Sequence, residues 1–170
     1  GRLTAGDFIV TVPENAVYDE NTTWTASATA KDSIASAIGA ITVQYYDEDG
    51  LIRDTNGDPV TRVKDAGTYE VQLVIAAGEG YASDTITGGW TFTINPAEQT
   101  LSYAAEPVSK TYGDNAFTNP FAEDSTSTAI SYTSSEETVA TVDSTGKVTI
   151  VGAGTTTITA KAKGTTNYQE

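Results

Sequence analysis

The sequence predicts an all-β protein, and three observations carry that expectation. Threonine occurs 30 times in 170 residues against four leucines, a β-branched bias that suits pleated strands and disfavours helices. Apolar side chains recur at every second position in run after run, the period of a strand with one face buried. Between the runs stand turn clusters, Asp47-Glu48-Asp49-Gly50, Asn56-Gly57-Asp58-Pro59 and Gly78-Glu79-Gly80, with Gly or Asx residues where the backbone must reverse.

Taken in order, Phe8, Val10 and Val12 share one face. From Thr22 to Ala30 the chain alternates, with Trp24, Ala26, Ala28 and Ala30 on one side and Thr23, Thr25, Ser27 and Thr29 on the other, so Trp24 is expected inside. Ile41, Val43 and Tyr45 follow, then Tyr69, Val71, Leu73 and Ile75, and finally Trp90, Phe92 and Ile94. These five runs make one core, and their spacing suits antiparallel strands in a sandwich. At Asn95-Pro96-Ala97-Glu98 a proline that cannot donate to a ladder interrupts the pattern, and a second series begins at Leu101. It reads Leu101 with Tyr103, Ile130 with Tyr132, Val139 to Val142, a turn over Asp143-Ser144-Thr145-Gly146, Val148 with Ile150, and last Thr156, Ile158, Ala160 and Ala162. The chain is long enough for two small cores, which places domains at residues 1–96 and 97–170. An echo between Val17-Tyr18-Asp19-Glu20-Asn21 and Thr111-Tyr112-Gly113-Asp114-Asn115 suits two related modules in tandem.

The composition excludes much chemistry. Nine basic side chains against 23 acidic ones leave a formal charge of −14, and a surface that negative repels nucleic acid and anionic lipid headgroups. Both halves are acidic, with five basic against 14 acidic residues before position 97 and four against nine after it. With no Cys and no His there is no thiolate, no imidazole base, no usual zinc site and no disulfide. No apolar stretch approaches the roughly 18 residues of a membrane span, so no membrane insertion is expected in this segment. The lack of Met, position 1 included, reads as an internal piece or a processed product.

One motif is specific. Asp65-Ala66-Gly67-Thr68-Tyr69 has the D-x-G-x-Y spacing of a tyrosine corner, which makes Tyr69 a structural residue whose phenol bonds back to upstream backbone. Two positions on, Val71 stands where an antibody domain has its cysteine, so the sheets must be held by apolar packing alone.

The run Ile130-Ser131-Tyr132-Thr133-Ser134-Ser135, with Val139-Ala140-Thr141-Val142, Gly146-Lys147-Val148-Thr149, Gly152-Ala153-Gly154 and Thr157-Ile158-Thr159-Ala160, resembles the bacterial immunoglobulin-like domain of group 2 over about residues 99–168. The first part, over about residues 7–95, is similar to the MBG-type immunoglobulin-like repeats of bacterial surface proteins through Val17-Tyr18-Asp19, Asp65 to Tyr69, Tyr81 and Phe92-Thr93-Ile94. Together the resemblances imply two tandem immunoglobulin-like β-sandwiches on an extracellular bacterial surface protein, with neighbouring repeats of the same chain as partners. Members of the group 2 family run on past a position equivalent to Glu170 into a last strand, so the second sandwich is expected to lack it and to leave an open sheet edge.

Three candidate sites follow. Asp54, Asn56, Asp58 and Asp65 stand at the first, third, fifth and twelfth positions of an EF-hand-like calcium loop, with Asp47 and Asp49 as further donors. Pro59 at the sixth position, where the bend needs Gly, and Thr61 at the eighth favour a solvated hairpin over calcium, and no other cofactor is expected. Tyr46 is expected to point outward beside Thr42 and Gln44, as a shield over the sheet or as a ligand contact for a sugar or a protein. Trp24 and Trp90 belong to the core. Carboxylate pairing for glycoside hydrolysis needs two acids a few ångströms apart in a cleft, and the acids here sit in turns, so no enzyme is expected. Lys161 and Lys163 alternate outward on the last strand, where charge discourages edge pairing. The expected role is a non-catalytic spacer or adhesion segment whose short Pro-containing joint limits swing, with a host or cell-surface protein or glycan as partner. The alternative is a carbohydrate-binding module or an accessory domain of a polysaccharide-degrading enzyme.

Overall fold

A computed structural model describes residues 1–104 and 107–170 of the chain. Among the described residues, fourteen strands, one 3-10 turn at Ala5–Asp7 and one helical turn at Asp32–Ala35 make up the regular structure, and the all-β class follows directly. The chain divides into two compact units, Gly1–Pro96 and Ala97–Glu170.

In the first unit the strands are β1 (Phe8–Thr11), β2 (Ala16–Val17), β3 (Ser27–Ala30), β4 (Ile41–Asp47), β5 (Gly50–Leu51), β6 (Gly67–Ile75) and β7 (Asp84–Asn95). Five of them form one sheet in the order β2-β7-β6-β4-β5, while β1 and β3 pair separately. The central strand β6 alternates, with Tyr69, Val71, Leu73 and Ile75 buried and the residues between them half-exposed. Its buried stripe joins Tyr45 of β4 and Ile86, Phe92 and Ile94 of β7, and the cover comes from Leu3, Phe8 and Ala26. Phe92 stacks on Tyr69 at 5.3 Å and meets Tyr45 edge-on at 6.2 Å.

The Tyr45 phenol is 1 % exposed, and its oxygen accepts the Ala26 N–H at 2.8 Å, which ties the stretch entering β3 to the sheet. Burial pushes this phenol above its ordinary pKa, although the Ala26 N–H pulls the other way. The Tyr69 hydroxyl donates to the Asp65 carbonyl at 2.5 Å, the bond that the D-x-G-x-Y spacing predicts.

Three features of this unit depart from the expected strands. The Thr22–Ala30 run keeps its alternation of burial throughout, but only Ser27–Ala30 is a strand. Trp24 is held instead by an isolated bridge to Val63, each residue's N–H bonding the other's carbonyl. Second, β2 runs parallel to β7, with Ala16 opposite Ile94. After β1 the chain breaks at Pro13, passes a left-handed Asn15 and leaves the β1–β3 pair for the edge of the larger sheet, so it arrives in the direction of β7. Third, β7 begins at Asp84, well before Trp90, and a bulge shifts its pairing from Trp90 opposite Val71 to Thr87 opposite Gln72. Gly89 sits there at φ 69°, and the two extra residues keep Ile86, Phe92 and Ile94 all facing inward.

The second unit contains β8 (Leu101–Tyr103), β9 (Phe117–Thr118), β10 (Phe121–Asp124), β11 (Ile130–Ser134), β12 (Ala140–Val142), β13 (Lys147–Ile150) and β14 (Ile158–Ala162). They form three small sheets, β10-β8, β11-β14 and β12-β13-β9. Between β9 and β10 the chain changes sheet at Asn119-Pro120, where proline has no N–H for a ladder. Fewer apolar side chains are buried here: among the described residues only Ala140, Val148 and Ala162. Polar clasps supplement them. The Gln99 side chain donates to Thr128 Oγ1 and the Gln169 carbonyl and accepts the Ser127 N–H at 2.7 Å. The Thr156 hydroxyl accepts the Glu136 N–H and bonds Ser134 Oγ at 2.8 Å. Beyond β14 the chain turns over Thr165–Tyr168, and Tyr168 forms a parallel bridge with Ala97.

Truncating the centre of the larger core tests this packing. Leu73→Ala is expected to destabilise the protein by about 2–5 kcal/mol, read as a lowered urea midpoint at unchanged slope, because β6 is flanked on both sides and leaves the neighbours little room to collapse.

Candidate functional site

The acidic loops are built from short-range hydrogen bonding. At the β4–β5 turn the Asp47 carboxylate accepts the Asp49 N–H at 2.8 Å. Downstream, the Asp54 carboxylate accepts the N–H groups of Asn56 at 2.9 Å and Asp58 at 3.0 Å. The loop closes through Asp54 N–H to the Asp58 carbonyl, and the Arg53 guanidinium donates to the Gly57 carbonyl at 2.8 Å. The Asn56 and Asp58 N–H groups bond the same Asp54 oxygen, Oδ1, so this carboxylate closes the loop as an Asx turn. Asp65 lies where its carbonyl receives the Tyr69 phenol. Among the described residues no three Asp or Glu side chains gather as a metal cluster.

The same device recurs on the second unit. Asp143 Oδ1 accepts the N–H of Thr145, the hydroxyl of Thr145 and the N–H of Lys147, closing the β12–β13 hairpin. The Thr145 hydroxyl is the main reason this carboxyl is held below the ordinary aspartate range, with the Lys147 and Thr145 N–H groups adding to it. Asp84 is lowered chiefly by the Arg2 guanidinium, 3.1 Å away.

Tyr46 lies on the opposite face of β4 from Tyr45 and across from Glu70 on β6. It is half-buried, less prominent than an outward tyrosine on a bare sheet face. Trp24 and Trp90 pack against the core cluster. Lys161 forms an ion pair with Glu170.

A cleft that the sequence reading does not foresee lies in the second unit. It encloses about 560 Å³, and Tyr103, Val108, Phe117, Val148 and Ile158 supply its apolar lining. Lys110 also lines it and places its ammonium 4.6 Å from the centre of the Phe117 ring. Among the described residues no acidic side chain lines the cleft. Burial raises the Tyr103 phenol above its ordinary pKa, with Tyr132 a smaller cause. The cleft's described lining residues offer apolar surface, hydroxyls and the Lys110 cation. The only sequence signal for it is the scarcity of large apolar residues after Leu101, which leaves too little volume to fill the space between three small sheets.

Comparison with known proteins gives one family. Residues 125–165 match the family model of the intimin immunoglobulin-like domain. The matched stretch holds β11 to β14, and it supports a bacterial immunoglobulin-like domain there. Comparison with curated proteins and with solved structures returns no match. No helix among the described residues is long and apolar enough to cross a membrane.

Two expectations follow from the acids. Because the folded-state pKa of Asp143 is depressed, its stabilising contribution is present above the unfolded value of about 3.9 and is lost as pH falls through the folded pKa. NMR titration should therefore place its midpoint below that of Asp in a peptide, and Asp143→Asn should flatten the acid limb of the unfolding curve. For the Asp54 loop, calorimetric titration with calcium is expected to give no binding heat at millimolar metal, since Pro59 stands where the bend of a calcium loop needs Gly and Asp54 Oδ1 already serves the Asn56 and Asp58 amides.

Proposed function

We propose that this chain is a non-catalytic segment of a secreted bacterial cell-surface protein, built from two immunoglobulin-like sandwiches. The first is read as an MBG-type repeat over about residues 7–95 and the second as a group 2 domain over about residues 99–168. The observation that carries the reading is the family match over residues 125–165, which falls on the consecutive strands β11 to β14. That family is described by its immunoglobulin-like fold in intimin, and a surface or adhesion role comes to this chain by that likeness.

Physical properties agree with such a role. Each unit is a small β-structure without cystine, and the strong negative charge favours solubility over binding to polyanions. The work of the segment is then geometric: folded blocks in series hold other parts of the protein at a distance. Partners in this reading are neighbouring repeats of the same chain and, where the segment is adhesive, a host or cell-surface protein or glycan, and the location is extracellular. No enzyme activity and no cofactor belong to this reading. The rival is a carbohydrate-binding module or an accessory domain of a polysaccharide-degrading enzyme.

A glycan array separates the two. The spacer reading expects no saturable binding to any immobilised glycan, and an affinity that survives dilution and competition by the free sugar would replace it with the carbohydrate-binding one.

A further inference from the structure

Of the five prolines in the chain, Pro59 alone follows an aspartate. The Asp58–Pro59 bond carries an intrinsic weakness that rests on two atoms of one residue. The Asp58 side-chain oxygen reaches its own main-chain carbonyl carbon through a five-membered ring. The departing nitrogen is that of proline, a tertiary amide more basic than an ordinary peptide nitrogen. Attack within one residue needs no encounter between distant groups, only rotation of the side chain.

The first unit adds to this weakness. Asp58 lies exposed in the loop between β5 and β6, and its carboxylate makes no hydrogen bond or ion pair with any described residue, so the side chain can turn. Its main chain, by contrast, is held at both ends. The Asp58 N–H bonds Asp54 Oδ1 at 3.0 Å, and the Asp58 carbonyl accepts the Asp54 N–H at 2.7 Å. Past the bond, Pro59 stands opposite Arg53 in an isolated antiparallel bridge, and the Val60 N–H bonds the Ile52 carbonyl. The carbonyl oxygen on which negative charge develops during attack therefore has a short, fixed donor in place before reaction. Within Arg53–Asp58 the charged side chains are Arg53, Asp54 and Asp58. The Arg53 guanidinium donates to the Gly57 carbonyl one residue earlier, and its positive charge favours the same developing anion.

We infer that the Asp58–Pro59 bond is a self-cleavage site, cut by its own aspartate within the folded first unit. The side-chain oxygen of Asp58 bonds the Asp58 carbonyl carbon, the carbon–nitrogen bond to Pro59 breaks, and the carboxyl proton passes to the proline nitrogen. The cyclic anhydride left on Asp58 adds one water and opens to two carboxyl groups. One peptide bond and one water become a terminal carboxyl and a proline amine, with no oxidant, reductant or second protein. Mild acid speeds the step because it supplies the proton that the nitrogen needs.

The fold decides what the cut leaves behind. Strands β1 to β5 precede it and β6 onward follow it, yet β4 and β6 pair from Ile41 opposite Ile75 to Tyr46 opposite Glu70. Trp24 and Val63 bridge the two pieces again, and the core cluster draws buried side chains from both. A cut first unit therefore stays together through packing and ladder bonds, and the chain parts there only when that unit unfolds. The inference goes beyond the surface-protein reading and does not need it.

The test follows the whole 170-residue chain in mildly acidic buffer with protease inhibitors, at a pH where circular dichroism shows the strands intact. Intact-mass measurement should find two products, residues 1–58 and 59–170, whose masses sum to that of the parent plus one water. The pieces should elute together from a native sizing column and separate in urea. Cleavage of the folded chain should run at least about tenfold faster than that of the same chain unfolded in urea at the same pH, the contribution of one fixed donor at a solvent-exposed carbonyl. Asp58→Asn, where the side chain has no described partner to lose, and Pro59→Ala should each slow the cut by about tenfold or more. The inference is overturned if the folded chain keeps its mass, if the break falls at another bond, or if Asp58→Asn is cut as fast as the parent. It is equally overturned if unfolding in urea does not slow the cut, or if the pieces part without denaturant.

Discussion

The first unit depends on covering one apolar stripe without a covalent link. Tyr69, Val71, Leu73 and Ile75 all lie on one face of β6, with β4 and β7 on either side, and that face is closed without a covalent link. Each large apolar side chain buried there contributes about 1.5–3 kcal/mol relative to exposure. The stripe fixes the register of the neighbouring strands, because a slip of one residue would send every one of its side chains to solvent. The cover over it is thin, a two-stranded pair with Phe8 and Ala26 reaching inward, and it is pinned by a polar contact. The Tyr45 oxygen emerges from the core where the Ala26 N–H needs an acceptor, so one side chain fills volume and satisfies backbone at the same point. Trp24, beside this contact, has a buried indole N–H without a protein partner, and its packing outweighs that unmet bond.

Alternation was the legible part of this fold. It identified the inward set on β4, β6 and the second half of β7, and it held from Trp24 to Ala30 even where the backbone is not a strand. What pattern alone could not reveal were the places where backbone geometry departs from a regular ladder. The bulge at Gly88-Gly89 is one: two residues inserted together preserve the parity of a period-2 pattern, so Ile86 and Trp90 look like members of a continuous strand or of two separate ones. The parallel β2 is another, since two residues carry too little periodicity to show a direction. In the second unit Asn119-Pro120 splits one apolar stretch between two sheets, and the large residues on either side, Phe117 and Phe121, gave no warning of the change of partner.

The candidate calcium loop was legible for a reason that also explains its geometry. Asp and Asn at alternate positions of a tight loop suit a cation, and they equally suit the backbone, because a carboxylate two residues before an N–H closes an Asx turn. Asp19, Asp47, Asp54, Asp124 and Asp143 all accept the N–H two positions on. Much of the chain's acidity is thus turn chemistry, and sequence spacing does not distinguish a carboxylate facing outward from one folded back on its own loop.

The two units meet the same requirement by different means, and the cleft is a consequence of the difference. Where β6 supplies four large inward residues in succession, β13 supplies Val148 and a half-buried Ile150, and β14 ends in two alanines separated by lysine. Small inward residues cannot fill the space between three narrow sheets, so side-chain hydrogen bonds from Gln99, Ser134 and Thr156 fix the relative placement of their strands while leaving volume open. A side-chain hydrogen bond of that kind contributes about 0.5–1.5 kcal/mol, less than a buried leucine or isoleucine, and it specifies position more than it adds stability. A unit organised in this way keeps part of its apolar interior accessible, because polar clasps hold its strands in place without the large side chains that would close the space between them.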